Sequence, residues 1–279
     1  MESSTNSVAS DIARLRKISK ELRKKSLEII YQAGSGHPGG SLSAADLMTA
    51  IFFAKMKFDP KNPKDPTRDR FVLSKGHCTG LLYSTLSKAG LFDASKLSDY
   101  RKINSELFLS GHPHPKTPGV EIATGSLGQG LSVGNGIAIG SRLDSLNYKV
   151  FVLMGDGELQ EGQVWEAAMS SVKFKLDNLT AIVDFNKLAQ DSATKDLKDL
   201  EPLEEKWKSF GWHTLRIDGH DMEKIVDALN QESPSGKPKI IIADTVKGKG
   251  VPGVEGTSRA HFTKLTKAET EAALTNLEV

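Results

Sequence analysis

Apolar positions along the 279-residue chain follow two periods. Over residues 11–32, Ile12, Leu15, Ile18, Leu22, Leu27 and Ile30 recur at helical spacing, with lysines and arginines on the other faces. A glycine-rich loop, AGSGHPGG, comes next at 33–40, and a second helix is predicted from about 44 to 55, capped by Ser41 or Ser43. Short apolar runs at 70–74, 150–154, 179–185, 213–217 and 239–245 read as strands. Helical patterns separate them, ending near 89 and covering 161–173, 203–210 and 222–229. Another helix, after Gly130, carries the small residues Gly134, Gly136, Ala138 and Gly140. This alternation predicts an α/β fold, a mostly parallel sheet with helices on both faces. Residues 1–9 are expected to form a disordered tail, 10–262 the domain itself, and 263–279 a C-terminal helical tail.

Composition removes several classes of function. With 38% hydrophobic residues the chain can bury a substantial core. Lys+Arg 37 against Asp+Glu 35 leave a net charge of +2, so no nucleic-acid partner is expected. The polar start MESSTNSVAS lacks the apolar core of a secretion signal, and no apolar run is long enough to cross a bilayer. Cys78 stands alone, which excludes an intrachain disulfide and a cysteine metal cluster. A cytoplasmic protein without a membrane partner is the expectation.

In a parallel sheet, ligands bind at the carboxyl ends of the strands. Those ends carry His77, Asp156-Gly157, Asn186, Asp218-Gly219-His220 and Lys247-Gly248. Glycines 125, 128, 130 and 134 imitate a dinucleotide fingerprint, but that motif has no use for Asn186, and Asp156 lies within G-D-G. His112 and His114 are interleaved with prolines, and no H-E-x-x-H accompanies them, so zinc is not expected. Asp156 and Asn186 each deliver an oxygen just past a strand end. Together, with a main-chain carbonyl near Leu188, they suit Mg2+ holding a phosphate, because that ion prefers about six oxygen ligands and takes few of them from protein. Either residue alone reads as a turn cap.

The combination G-D-G, with an asparagine thirty positions after the aspartate, resembles the thiamine-diphosphate-binding motif. ELQEG after it is similar to transketolases in particular, as are GSGHPGGSLSAADL (34–47), DRFVLSKGHC (69–78), GHPHP (111–115), TGSLGQG (124–130) and NKLAQD (186–191). The resemblance implies the thiamine-diphosphate-binding fold, with Asp156, Asn186 and the Leu188 carbonyl holding Mg2+ (Ca2+ or Mn2+ as substitutes) on the diphosphate. It further implies Gly157, His77, Gly125, Ser126, Leu127 and His261 at the cofactor. His37, His77, His112 and His261 would serve sugar hydroxyls, cofactor and protons, and Glu161 would lie between cofactor sites. Ser126, Cys78, Gln190 and the segment after His261 depart from the family's usual residues.

The resemblance covers about residues 10–262, which is only the diphosphate-binding portion of a much longer enzyme. The portion that binds the aminopyrimidine and supplies the activating glutamate has no counterpart. The expectation is therefore the N-terminal subunit of a split transketolase (EC 2.2.1.1-like, of the pentose phosphate pathway). It would pair with a C-terminal-type, pyrimidine-binding chain, as a heterotetramer, and move a two-carbon ketol unit from a ketose phosphate to an aldose phosphate. The alternatives are the same chemistry on an unusual ketose, or a non-catalytic scaffold with a decayed diphosphate site.

Overall fold

The structure is a computed structural model that describes residues 2–262 and 265–277, with side chains from Asp11 onward. Five parallel strands form its sheet: β1 (Arg70–Leu73), β2 (Val150–Gly155), β3 (Leu179–Phe185), β4 (His213–Asp218) and β5 (Lys239–Asp244), in the order β1-β2-β3-β5-β4. β2 and β3 are apolar at nearly every position because helices cover the sheet on both sides. Successive side chains point to opposite faces. Phe71, Leu73, Phe151, Leu153, Ile182 and Ile241 enter one core, with residues of α1 (Glu2–Ala33), α3 (Ala45–Ala50), α4 (Thr79–Lys88) and α9 (Met222–Asn230). Val150, Val152, Met154, Ala181, Val183 and Ile242 enter the other, with α5 (Gly130–Leu143), α6 (Gly162–Lys173) and α8 (Leu203–Ser209).

Three expectations are revised. α1 begins at Glu2, so residues 2–9 continue the first helix instead of forming a tail, and Met1 lies outside the described residues. The glycine-rich stretch is not all loop, since Pro38–Ser43 form α2. Pro38 suits a first turn because its missing N–H has no intrahelical partner there. A Cβ on Gly39 would lie 2.4 Å from the Ala260 carbonyl, and one on Gly40 2.8 Å from Cys78 Sγ. These glycines permit close approach; they do not break the helix. Ser41 and Ser43 therefore cap nothing. Ser41 Oγ donates to the His37 carbonyl at 2.9 Å, and Ser43 Oγ to Asp184 at 2.6 Å.

Residues 265–277 are likewise built into the body, while 263–264 and 278–279 lie outside the described residues. α10 (Lys267–Asn276) starts in a Thr266/Glu269 capping box, and its Ala273 joins a cluster with Leu27, Leu42, Val251, Val254 and Ala260. In the 190–199 loop Thr194–Leu197 makes a single turn, α7. On α5 a Cβ at Gly130 would lie 2.2 Å from Ser74 Oγ, just past β1, and one at Gly134 2.5 Å from Val152; beside Gly136 there is open space. No helix among the described residues is long and apolar enough to cross a membrane.

Candidate active site

A cavity of about 300 Å3 opens at the carboxyl ends of β1, β2, β3 and β5. Each strand contributes residues at or just past its end: Lys75 and His77, then Gly155 to Glu158, then Asn186 with residues 188–190, then Lys247. β2 and β3 pair with Gly155 opposite Asp184, which places Asp156 and Asn186 side by side. The turn after β3 makes the arrangement tight. Lys187 adopts φ 65°, and its amide donates to one Asp156 oxygen while the Gly157 amide donates to the other at 2.7 Å. Asn186 Oδ1 accepts from the Leu188 amide at 3.2 Å, and its Nδ2 donates to Asp184 at 3.3 Å. Asp156 and Asn186 are thus turn caps and cavity residues at once.

Asp156 shares a buried ionic floor with Asp184, Lys75 and Glu158. Asp184, fully buried, accepts from Ser43, Thr245 and the Lys75 ammonium, which also donates to the Gly40 carbonyl at 3.0 Å. Burial works to raise the Asp184 pKa, but the Lys75 charge and the hydrogen bonds outweigh it and hold the carboxyl below its ordinary value. Glu158 is 2% exposed and accepts from Ser74, from the Gly128 amide at 2.9 Å and from the Gly155 amide at 3.1 Å. Asp156 has less support. Burial, then the charge on Asp184, push its carboxyl up to about 7. A cation is favoured beside such a group. Lys247 stands nearby, its Nζ donating to the Leu188 and Ala189 carbonyls at 2.9 and 2.6 Å, and burial lowers its pKa to about 8.

Three histidines form one wall. The His37, His77 and His261 rings stand 5.1 to 5.4 Å apart. Burial, then neighbouring cations, lower His37 and His261 to about 4 and His77 well below its ordinary value. All three are neutral at pH 7, each with one ring nitrogen to donate and one to accept. Buried His37 Nδ1 has no protein partner.

Other residues singled out from the sequence lie at or beyond the rim. Gly125 and Leu127 line the cavity, whereas Ser126 is exposed beside them. The His112 ring packs on Gly125, where a Cβ would lie 2.8 Å from it. Glu161 precedes α6 in an exposed position, its Cβ against Gly128. His114 is separate, stacked on Phe108 at 4.7 Å. His220, at the end of edge strand β4, does not reach the cavity. Sequence reasoning placed Lys247 at the ligand-binding edge without giving it a role, and passed over Lys75, Glu158 and Asp184 as site groups. Asp184 had a signal, a lone charge inside an apolar strand, and the two lysines each precede a glycine just past a strand.

Among the described residues no three His, Cys, Asp or Glu side chains converge as a metal set. An ion here would rely on the Asp156 carboxylate, the Asn186 amide oxygen, the Leu188 carbonyl and oxygens brought by its ligand. That hard-oxygen set fits a divalent ion bound to a diphosphate.

The chain matches the family model "Transketolase, thiamine diphosphate binding domain" over residues 15–278. It is 42% identical to an apulose-4-phosphate transketolase subunit of Phocaeicola vulgatus, covering 92% of this chain and 91% of that one. It is 43% identical to a 6-deoxy-6-sulfo-D-fructose transketolase subunit of a Clostridium species, at 92% and 94% coverage. With human transketolase the identity is 41%, over 91% of this chain and 40% of the human protein. The solved transketolase from Campylobacter jejuni superposes with a TM-score of 0.88 at 35% identity, and that from Leishmania mexicana with 0.88 at 30%. Both superpositions take in 95% of this chain but only 43% and 41% of the solved chains. Sequence and fold agree, and the chain belongs to the transketolase family as its thiamine diphosphate binding domain.

Proposed function

We propose that this chain is the N-terminal, diphosphate-binding subunit of a split transketolase and works with a C-terminal-type partner chain in a heterotetramer. The observation that carries the reading is the oxygen set of Asp156, Asn186 and Leu188, which faces a histidine-walled cavity at the sheet's carboxyl edge. Relatives that this chain matches along more than nine-tenths of their length are named as transketolase subunits.

In this reading Asp156, Asn186 and the Leu188 carbonyl hold Mg2+ on the diphosphate, and the Lys75 and Lys247 ammonium groups balance its charge. Gly157, Gly125, Ser126 and Leu127 give the cofactor close backbone approach. When bound, thiamine diphosphate supplies the nucleophilic carbon and the electron sink that two-carbon ketol transfer requires. His37, His77 and His261 hydrogen-bond the sugar hydroxyls and move protons near neutrality, and His112 joins them from the rim. Glu161 lies at the boundary with the partner, which brings the aminopyrimidine site and its activating glutamate. The donor is a ketose with an anionic terminus. The names of the two relatives favour an uncommon ketose over those of the pentose phosphate pathway. The cytoplasm, where sugar phosphates are made, is the proposed location.

Reconstitution tests this. The purified chain alone is expected to give no ketol transfer, and addition of a C-terminal-type chain, Mg2+ and thiamine diphosphate to restore it. Strong turnover without a partner would overturn the split reading. Failure of the pair to bind thiamine diphosphate in calorimetry would favour the scaffold instead.

A further inference from the structure

His220 lies outside the cavity, yet its imidazole is tied at both nitrogens. Nδ1 is 2.8 Å from Asp46 Oδ2, and Nε2 accepts from the Val246 amide at 2.9 Å. An amide can only donate, so Nε2 is the bare nitrogen and the proton sits on Nδ1. Asp46 is itself fixed, buried on α3 and bonded to Arg23 and Ser19 of α1. The close approach is built into the backbone. Gly219 donates to the Asp244 carbonyl at 2.7 Å, and a Cβ there would lie 2.4 Å from Thr245 Cγ2. The end of β4 is thereby pressed onto the end of β5.

The ring grips the residue before Lys247. Three consecutive residues leave β5 with separate ties: Thr245 Oγ1 to Asp184, Val246 N–H to His220, and Lys247 Nζ to the Leu188 and Ala189 carbonyls. We infer that His220, through Nε2, is a positioning residue for the diphosphate end of the site, fixing the Val246 backbone so that the Lys247 ammonium stands against the Leu188 carbonyl. The inference rests on the diphosphate-binding reading above. It makes the support of the site span α1, α3, β4 and β5, of which the cavity residues alone would reveal only β5. Hydrogen bonds that orient the groups touching a bound ion change its affinity by about 10–100-fold when lost.

The test is calorimetric titration of the full chain with inorganic pyrophosphate in excess MgCl2, with thermal melting alongside. His220→Asn keeps a donor for Asp46 and removes the acceptor for Val246; its affinity is expected to fall about tenfold. His220→Gln places an oxygen at the ε position and is expected to stay within about threefold of the unaltered chain. Lys247→Met should lose at least as much as His220→Asn, and the double variant no more than Lys247→Met alone, because coupled residues are non-additive. On the unaltered chain, magnesium pyrophosphate should slow hydrogen exchange across residues 245–248. Unchanged affinity in His220→Asn, additive losses in the double variant, or unchanged exchange would each overturn the role of His220. Lack of pyrophosphate binding by the unaltered chain would overturn the diphosphate reading itself and this inference with it.

Discussion

The floor and the rim of the cavity are built in opposite ways. Asp156, Glu158, Asp184 and Lys75 on the floor are each no more than 2% exposed, and each makes at least two hydrogen bonds within the chain. At the rim His112, Glu161 and Ser126 are exposed, and none of their side chains forms a hydrogen bond among the described residues. Leu127 and Phe262 beside them are 36% and 53% exposed. A buried charge survives only with partners, because desolvation otherwise neutralises it. The floor is therefore organised by one chain before any ligand arrives. The rim offers apolar and polar groups that the described residues leave exposed.

The contrast breaks most visibly at Asp184. Asp184→Asn leaves the Lys75 ammonium buried without its counter-charge, at an expected loss of about 3–5 kcal/mol in urea unfolding. A loss under about 1 kcal/mol would mean the floor is not an ionic pair. Next comes Asp156→Ala, which removes the one carboxylate in the proposed oxygen set. Magnesium pyrophosphate affinity should drop at least about 100-fold, with stability lowered by only about 1–3 kcal/mol as the Lys187 and Gly157 amides lose their acceptor. Calorimetry on the folded variant checks it.

The histidine wall gives a smaller, pH-dependent effect. His37 and His261 titrate near 4 in the folded chain, below the ordinary 6.5, so the fold prefers their neutral form. Their contribution to stability is complete above about pH 6.5 and is lost as pH falls towards 4, where the unfolded chain binds more protons. After allowance for solvent screening the loss is under about 1 kcal/mol per ring. His261→Asn should flatten the fall in melting temperature between pH 7 and 5, and an unchanged slope would count against a neutral His261. The least effect belongs to the rim. His112→Ala with Glu161→Gln should change stability by no more than about 0.5 kcal/mol, as exposed positions do. The same pair should lower ketol transfer in the reconstituted assembly, and unaltered turnover would remove both residues from the proposed site.

Much of the fold was legible in the sequence because buried parallel strands are uninterrupted apolar runs, and all five expected strands begin where the structure starts them. Asp156 and Asn186 were legible because a polar residue just past such a run must lie at the sheet's carboxyl edge. The helix at Pro38–Ser43 was hidden, since a run containing Gly39 and Gly40 has poor helix propensity and folds there through contact with Ala260 and Cys78. Lys75 and Asp184 were hidden for a related reason. They are far apart in the chain, and only their pairing makes either tolerable in the interior.

The sequence by itself determined that strands and helices alternate, which residues end each strand, and that Asp156 and Asn186 would each stand just past one of those ends. Strand order was decided only by the tertiary structure. β5 pairs between β3 and β4, and this one choice brings Lys247 into the cavity and leaves His220 behind it. Local periodicity records which way a side chain faces, but not which distant strand will lie beside it. That depends on how whole helical layers pack, and no single stretch of chain encodes it.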